Sequence, residues 1–332
     1  MSFIFNSWYP LCFFEELEKQ NPLPKKILGK NLLIFKNNKG EIGVLEDRCC
    51  HRNVQLSLGS PHGEGIRCAY HGWTYNIHGK CIDIPSLPKD KDIPTACKVI
   101  SYPLRLDYNM VWVWLGDPEK KDEFALPPMP EMHHMPRVFN YHYFKGDLMQ
   151  VAESLIDAYH INHVHKNSIQ GIMGHLHEGE VNFNLNLSEN ALTGTYLRKN
   201  EGSIFEKFYF GSQPYITTHF GFWFPHTSKL DIAFPKRRMV IYEFFYPVDE
   251  AQICLIQITL WENIFALFPA FARNFMARKS EKIVEEDLVF LENSYALKQE
   301  NQYKDLLVSP SDEVSLAFIK LWKNNISKHE SC

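Results

Sequence analysis

Apolar residues in the first third of the chain come in short runs separated by turn-forming clusters. Leu32–Phe35 and Ile42–Leu45 flank Asn37-Asn38-Lys39-Gly40, a pattern that predicts a β-hairpin. Lys98–Leu106, then Asp107-Tyr108-Asn109, then Met110–Leu115 repeats the design. In Val111-Trp112-Val113-Trp114 the strand period puts valines on one face and tryptophans on the other. The pattern stops at Gly116-Asp117-Pro118. A charged stretch, Glu119–Glu123, and a proline-rich one, Pro127-Pro128-Met129-Pro130 through Pro136, follow it. Proline neither extends a helix nor donates to a central ladder, so an inter-domain connection is predicted here.

Beyond this connection the period changes. Gln150–His165 reads as a helix, whereas Val181–Leu187, Leu192–Leu197, Lys207–Phe210, Met239–Tyr246 and Ile253–Leu260 suit strands. Glu262–Lys298 returns to helical spacing, with no internal proline after Pro269. The expectation is an α+β protein: a small β domain over residues 1–120, then a larger α+β domain over residues 121–332.

Composition narrows the function classes. The 332 residues are 45% hydrophobic and 22% charged, which suits a packed core and excludes a disordered chain. A net charge of −4 provides no field for holding nucleic acid or an acidic membrane surface. No apolar run approaches the roughly 18 residues of a membrane span, and the N-terminus lacks signal-peptide features. Eight scattered cysteines, two of them adjacent (Cys49 and Cys50), do not form a disulfide framework, so a reducing cytoplasm is expected. The 15 histidines, 24 phenylalanines, 15 tyrosines and 7 tryptophans favour metal ligands and an aromatic-lined pocket.

The strongest chemical signal lies between Cys49 and His71. Cys49-Cys50-His51-Arg52 is followed by Cys68-Ala69-Tyr70-His71-Gly72-Trp73, with Gly59, Gly63 and Gly65 between them. Each loop offers one thiolate and one imidazole. Such a pair of loops suits either one tetrahedral zinc or a [2Fe–2S] cluster in which two histidines replace two cysteines on one iron. The flanking Arg52 and Gly72-Trp73 carry a resemblance to the Rieske signature C-x-H-R…C-x-x-H-G-W. The resemblance implies Cys49, His51, Cys68 and His71 as cluster ligands. This chain departs from the family's usual proline after each cysteine, having Cys50 and Ala69 there. The remaining cysteines, and His62 and His78, fall outside the ligand spacing.

A second constellation runs from Glu153 to His165. Asp157 and His160 are spaced i, i+3, hence on one face of a helix. An iron that activates O₂ takes a 2-His-1-carboxylate set with positions left open. Helical periodicity turns His163 with His160, and leaves His165 off that face. The catalytic domains of Rieske non-haem iron oxygenases carry D-x-x-H-x-x-x-x-H, which this chain resembles at Asp157, His160 and His165. That match requires the helix to distort or end near Asn162. For the third ligand, Glu285, Glu286 and Asp287 are available. Asp287 has Ile283, Val284, Phe290 and Leu291 as its helical neighbours, and a carboxylate on an apolar face is costly unless paired or metal-bound. Asp287 also sits where the family's E-D-x-x-x-x-E pattern places the ligand; Glu285 and Glu286 read as a solvated face.

The resemblance spans nearly the whole chain, and its layout is that of the short subgroup of dicamba monooxygenase-like and pheophorbide a oxygenase-like proteins. It implies an N-terminal Rieske β-sandwich and a helix-grip catalytic domain with an antiparallel sheet. It further implies a mononuclear Fe(II), O₂ as co-substrate, and electrons from NAD(P)H through a separate reductase or ferredoxin. The implied reaction is hydroxylation or oxidative demethylation of an organic small molecule, aromatic or polycyclic. A homotrimer is implied as well, in which Asp157 joins His160 to a cluster histidine, His71, of the neighbouring subunit. Where the family has Glu-Asn before this aspartate, the chain has Glu153-Ser154. The rival reading is a Rieske electron carrier whose C-terminal domain lacks iron, and a third is a zinc-stabilised interaction module. His175 and His177 in a glycine-rich stretch, the Phe220–Phe224 aromatic run and Lys236-Arg237-Arg238 read as loop, core and solvated surface.

Overall fold

The computed structural model describes residues 3–165, 168, 182–199, 215–234, 237–262, 269–301, 307, 309 and 312–329. The chain divides into two compact units, the first comprising Phe3–Leu126 with Val248–Glu250 and the second Pro127–Pro247 with Ala251–Ser331. Among the described residues, no helix is long and apolar enough to cross a membrane.

The first unit is built of β1 (Ser7–Phe13), α1 (Phe14–Lys19), β2 (Leu23–Ile27), β3 (Lys30–Lys36), β4 (Ile42–Glu46), β5 (Ser60–His62), β6 (Gly65–Arg67), β7 (Thr74–Asn76), β8 (Cys81–Asp83), β9 (Leu104–Asp107) and β10 (Met110–Leu115). These form three antiparallel sheets, ordered β1-β10-β9, β2-β3-β4 and β5-β6-β7-β8. The β3–β4 hairpin pairs Leu32 with Glu46 and Lys36 with Ile42, as the turn cluster predicts. Only the last residues of the Lys98–Leu106 stretch form a strand, because Pro103 interrupts the run and leaves isolated bridges at Lys98 and Ser101. The alternating Val111–Trp114 segment is buried on both faces, valines and tryptophans alike. β1 carries Pro10, which conceals it from strand patterning; the ladder slips by a residue between Pro10 and Cys12 to accommodate the missing N–H.

The second unit contains β11 (Arg137–Phe144), α2 (Leu148–Ser154), α3 (Ile161–Val164), β12 (Asn182–Leu187), β13 (Ala191–Lys199), β14 (Tyr215–Trp223), β15 (Thr227–Phe234), β16 (Arg237–Pro247), β17 (Ile253–Glu262), α4 (Pro269–Asn301) and α5 (Glu313–His329). Seven antiparallel strands run in the order β11-β17-β16-β15-β14-β13-β12. One face meets the helices: Ser280 of α4 bonds Thr259 and Gln257, and Phe318 of α5 packs edge-on against Phe222 at 5.1 Å. The residues before β11 cover the other face. Met129, Met132 and Met135 are buried, and the Tyr242 hydroxyl donates to Glu131. The proline-rich stretch is therefore packed structure rather than a free connection. With both its faces covered, β17 reads as a continuous buried run instead of an alternation.

The long helix expected over Gln150–His165 is two pieces. α2 ends at Ser154, the chain turns through Leu155–His160, and α3 occupies Ile161–Val164. The break thus precedes Asn162. Asp157 accepts from the amides of Tyr159 and His160 at 2.8 and 3.3 Å, so its short side chain stabilises the turn in place of helical hydrogen bonds. Lys207–Phe210 lies outside the described residues, and Glu262, expected at the start of a helix, is the last residue of β17.

Candidate metal centres

The two Cys-His loops share one closure. Cys49 N–H donates to Val54 O and Asn53 N–H to Cys49 O; Cys68 N–H donates to Trp73 O and Gly72 N–H to Cys68 O. In each loop the fifth residue, Asn53 or Gly72, takes a left-handed φ (+57° and +75°) that turns the chain back on itself. At Gly72 a Cβ would meet Pro85 Cγ at 2.9 Å, so glycine also gives the packing room. The second loop joins β6 to β7, and the shared sheet sets both loops at one end.

Within the loops, donors sort by type. Cys49 and Cys68 are buried in the core of this unit, while the His51 and His71 rings stand 4.6 Å apart. His51 stacks on Trp73 at 4.4 Å, and its Nδ1 is buried without a hydrogen-bond partner. Burial, with a contribution from neighbouring Cys49, raises the Cys68 thiol pKa. A thiol pair beside an imidazole pair with an orphaned nitrogen suits a cluster with Cys₂ on one iron and His₂ on the other. One zinc would instead need all four donors around a single point. The Tyr75 hydroxyl lies 3.1 Å from Cys49 Sγ and 3.3 Å from Cys50 Sγ. Cys50, standing where the family has proline, thus shares this hydroxyl.

In the second unit, donor atoms of His160, His165 and Asp287 all lie within 4.8 Å of one another. His160 Nε2 and His165 Nε2 approach the same Asp287 oxygen, Oδ1, at 3.5 and 3.2 Å. His165 is buried and His163 is exposed, because the break before α3 and the turn after it rotate His165 inward. Two imidazoles and a carboxylate converging in this way suit a mononuclear Fe(II) with open positions. Burial opposes charge on His165, but hydrogen bonds to Asp287 and Glu286 prevail and raise its pKa.

Each imidazole has a second carboxylate behind it. Glu286 Oε2 lies 3.0 Å from His165 Nδ1 and also accepts from Ser168. The solvated-face reading of Glu286 is therefore corrected: its side chain orients a histidine of the triad. Asp157 Oδ2 lies 3.4 Å from His160 Nδ1, short of hydrogen-bond geometry, and that nitrogen is buried and unbonded. Burial works against the Asp157 charge, yet His160 and the two turn amides bring its pKa below the usual value. Ser154, in place of the family's asparagine, turns its hydroxyl to Val151 O within its own helix.

Two polar groups escaped sequence reading. On the helix-bearing face of the sheet, Ser228 donates to Glu243 Oε2 at 2.9 Å and Gln257 to Glu243 Oε1 at 3.0 Å. Burial, reinforced by the Asp287 charge and opposed by these two donors, pushes the Glu243 carboxyl up to about 7. On the opposite face Arg238 grips Asp231 through two bonds of 2.9 and 2.6 Å, and Glu131 receives Lys229 and Arg238 at 2.9 and 2.6 Å. Arg238 is thus an internal ion-pair partner rather than solvated surface. A groove of about 350 Å³ on this opposite face, lined by Asn184, Thr195, His219 and Trp223 among others, shares no residue with the triad. The aromatic run divides: Phe222 is core, and Phe220 packs with Phe183 and Tyr196. His175 and His177 lie outside the described residues.

Comparison with known proteins agrees with this geometry. The Rieske [2Fe-2S] domain family matches residues 7–103, and the vanillate O-demethylase oxygenase C-terminal domain family matches residues 144–325, more than half of the chain. The iron-sulfur subunit TsaM1 of the toluene-4-sulfonate monooxygenase system of Comamonas testosteroni is 28% identical over 172 residues, covering 50% of this chain and 48% of that one. The oxygenase subunit of 3-chlorobenzoate-3,4-dioxygenase from the same organism is 32% identical over 180 residues, covering 52% and 39%. The matched stretch thus spans about half the length of these relatives or less. Among solved structures, dicamba monooxygenase bound to 3,6-dichlorosalicylic acid superposes with a TM-score of 0.80 at 21% identity, covering 99% of this chain and 98% of that one. NdmA of Pseudomonas putida CBB5, with theobromine, gives 0.77 at 21% identity over 97% and 92%. With a Rieske domain ahead of a vanillate O-demethylase-type catalytic domain, the chain belongs to the Rieske oxygenase α subunits, a family that implies a Rieske cluster and a mononuclear iron.

Proposed function

We propose that this chain is the oxygenase component of a Rieske system that hydroxylates or oxidatively demethylates an organic substrate, aromatic or polycyclic. Residues 1–120 would hold the [2Fe–2S] cluster through Cys49, His51, Cys68 and His71, and residues 121–332 would hold Fe(II) through His160, His165 and Asp287. The observation that carries this reading is the convergence of two Nε2 atoms on one Asp287 oxygen, with a carboxylate behind each ring. Bound in these sites, the cluster would supply single electrons and the iron would activate O₂.

The protein's own groups do the positioning. Glu286 keeps the His165 Nδ1 proton in place, so the Nε2 lone pair faces Asp287. Burial of His165 keeps bulk water from that side of the site. The Tyr75 hydroxyl, whose own ionisation is suppressed by burial and by the adjacent thiols, lies 3.1 Å from Cys49 Sγ and would donate to it once that sulfur is a thiolate ligand. Asp157, 3.4 Å from His160 Nδ1, would join that ring to the partner subunit's His71 in a homotrimer. Electrons would come from NAD(P)H through a separate reductase or ferredoxin. The described cysteines form no disulfide among themselves, in keeping with a reducing compartment, the cytoplasm.

The test is metal and acid-labile sulfide content of anaerobically purified chain reconstituted with Fe(II). Three irons to two sulfides is the expected result. Two irons to two sulfides would favour the electron carrier, and zinc without sulfide would overturn the reading. Asp157→Ala is expected to retain both metals and lose turnover; wild-type turnover would remove the bridging role.

A further inference from the structure

The inward face of the catalytic sheet carries a polar row that the metal triad does not use. Ser228 pairs with Glu243, and Glu243 with Gln257, directly across three adjacent strands. Cross-strand partners share a face, so the three side chains form one line. Helix α4 fixes this line relative to the iron ligands. Ser280 is bonded to Gln257 and to Thr259, and Asp287 lies seven residues further along the same helix. Residues i and i+7 project from one side of a helix, roughly 10 Å apart. Asp287 therefore looks towards the same sheet face as the row.

This part of the face is not fully packed. Leu230 and Ile241 share it with Glu243, and all three retain partial exposure, whereas Ser228 and Gln257 are buried. Two aliphatic side chains and one carboxyl group thus keep some exposure on this face, beside the Phe183–Tyr196–Phe220 ring cluster. Among the described residues each Glu243 oxygen accepts a single hydrogen bond, while a carboxylate oxygen has lone pairs for two. Glu243 thus keeps unused acceptor capacity. Lys229 and Arg238 lie on the other face, engaged by Glu131 and Asp231.

Building on the proposed oxygenase reading, we propose that Ser228, Glu243 and Gln257 form the polar wall of the substrate site and select a neutral or cationic substrate that presents an N–H or O–H donor. A carboxylate or sulfonate placed there would set its own acceptors against those of Glu243, which is costly in a site removed from water. A donor finds the free lone pairs of Glu243, and an analogue without it leaves them unpaired, the asymmetry from which polar sites gain selectivity.

Benzamide, benzylamine and benzoate, of similar size and with neutral, cationic and anionic heads, are suitable probes. Their affinities for the full chain loaded with cluster and Fe(II) are measured by calorimetry, with iron counted on the same preparation. Benzamide and benzylamine are expected to bind at least about tenfold more tightly than benzoate, a difference of about 1.4 kcal/mol. Glu243→Gln, which preserves size and an acceptor for Ser228, is expected to bring the benzamide-to-benzoate ratio close to one. Preference for benzoate in the wild type, an unchanged ratio in the variant, or failure of all three probes to bind would overturn the proposal. A low iron count would instead strike at the oxygenase reading, since the affinity ratio is read without turnover.

Discussion

The cluster loops draw their donors from a short stretch of chain, with Cys49 and Tyr75 only 26 residues apart. The proposed iron triad and its neighbouring carboxylates instead join elements separated by 121 residues, as the His165–Glu286 pair shows. In the loops, local hydrogen bonds fix the donors: each cysteine amide and carbonyl closes its own turn. In the triad, position depends on how a broken helix and a long one lie against the sheet. A site of the first kind can be read from spacing, because spacing is its geometry. A site of the second kind can be read only as far as residue type and family pattern reach.

The contrast breaks most sharply under ligand deletion. Asp287→Ala is expected to abolish mononuclear iron binding and turnover while leaving the cluster's visible absorption unchanged. Cys68→Ser is expected to eliminate that absorption while the triad still takes up one iron. Metal analysis of both variants checks whether the two sites load independently. Loss of both metals in either variant would show that they are coupled.

Acid should separate the two regions next. Glu131 is buried and, despite that burial, Tyr242 and Lys229 hold its pKa down to about 2. The folded value lies below the unfolded one of about 4.3, so the stabilisation is complete above that unfolded value and is lost as pH falls towards 2. Glu131→Gln leaves Lys229 and Arg238 with one carboxylate fewer and is expected to cost about 3 kcal/mol near neutral pH. Urea unfolding followed through the catalytic domain should show that loss and a flatter acid limb. The visible absorption of the cluster loops, which contain no such pair, should be unaffected at neutral pH.

Smaller substitutions sharpen the comparison within each site. Glu286→Gln keeps the shape but weakens the charge behind His165, and iron affinity is expected to fall about 10–100-fold in a chelator competition. Tyr75→Phe removes the hydroxyl shared by Cys49 and Cys50. A donor to sulfur stabilises the reduced, more negative cluster, so its loss should lower the reduction potential modestly, as measured by redox titration.

Much of the fold was legible where alternation and turn chemistry agree, as in the β3–β4 hairpin and β16. It was not legible at β1, where Pro10 sits in a bulge, nor at β11, directly behind a proline-rich segment that reads as a connection but covers the sheet. Helical periodicity favoured His163 as the partner of His160, and the family pattern favoured His165. In the structure His165 is buried and His163 exposed: α3 ends at Val164, two residues past Asn162, and His165 leaves the helical phase at its C-cap. Glu286 illustrates the same limit. Next to a ligand aspartate on a charged helix, nothing in its spacing distinguishes an exposed carboxylate from one bonded to a histidine far back along the chain.

By itself the sequence determined the donors and their order: two Cys-His loops closed by backbone turns, then an aspartate, histidines and a distant acid. Those choices are local, made by spacing, by Gly72 and by the chemistry of thiolate and imidazole. The tertiary structure alone decided which histidine faces Asp287, that Glu286 stands behind it, and that Ser228, Glu243 and Gln257 form one line across three strands. Each of these depends on strand register or on helix placement, which bring together residues that share no local pattern.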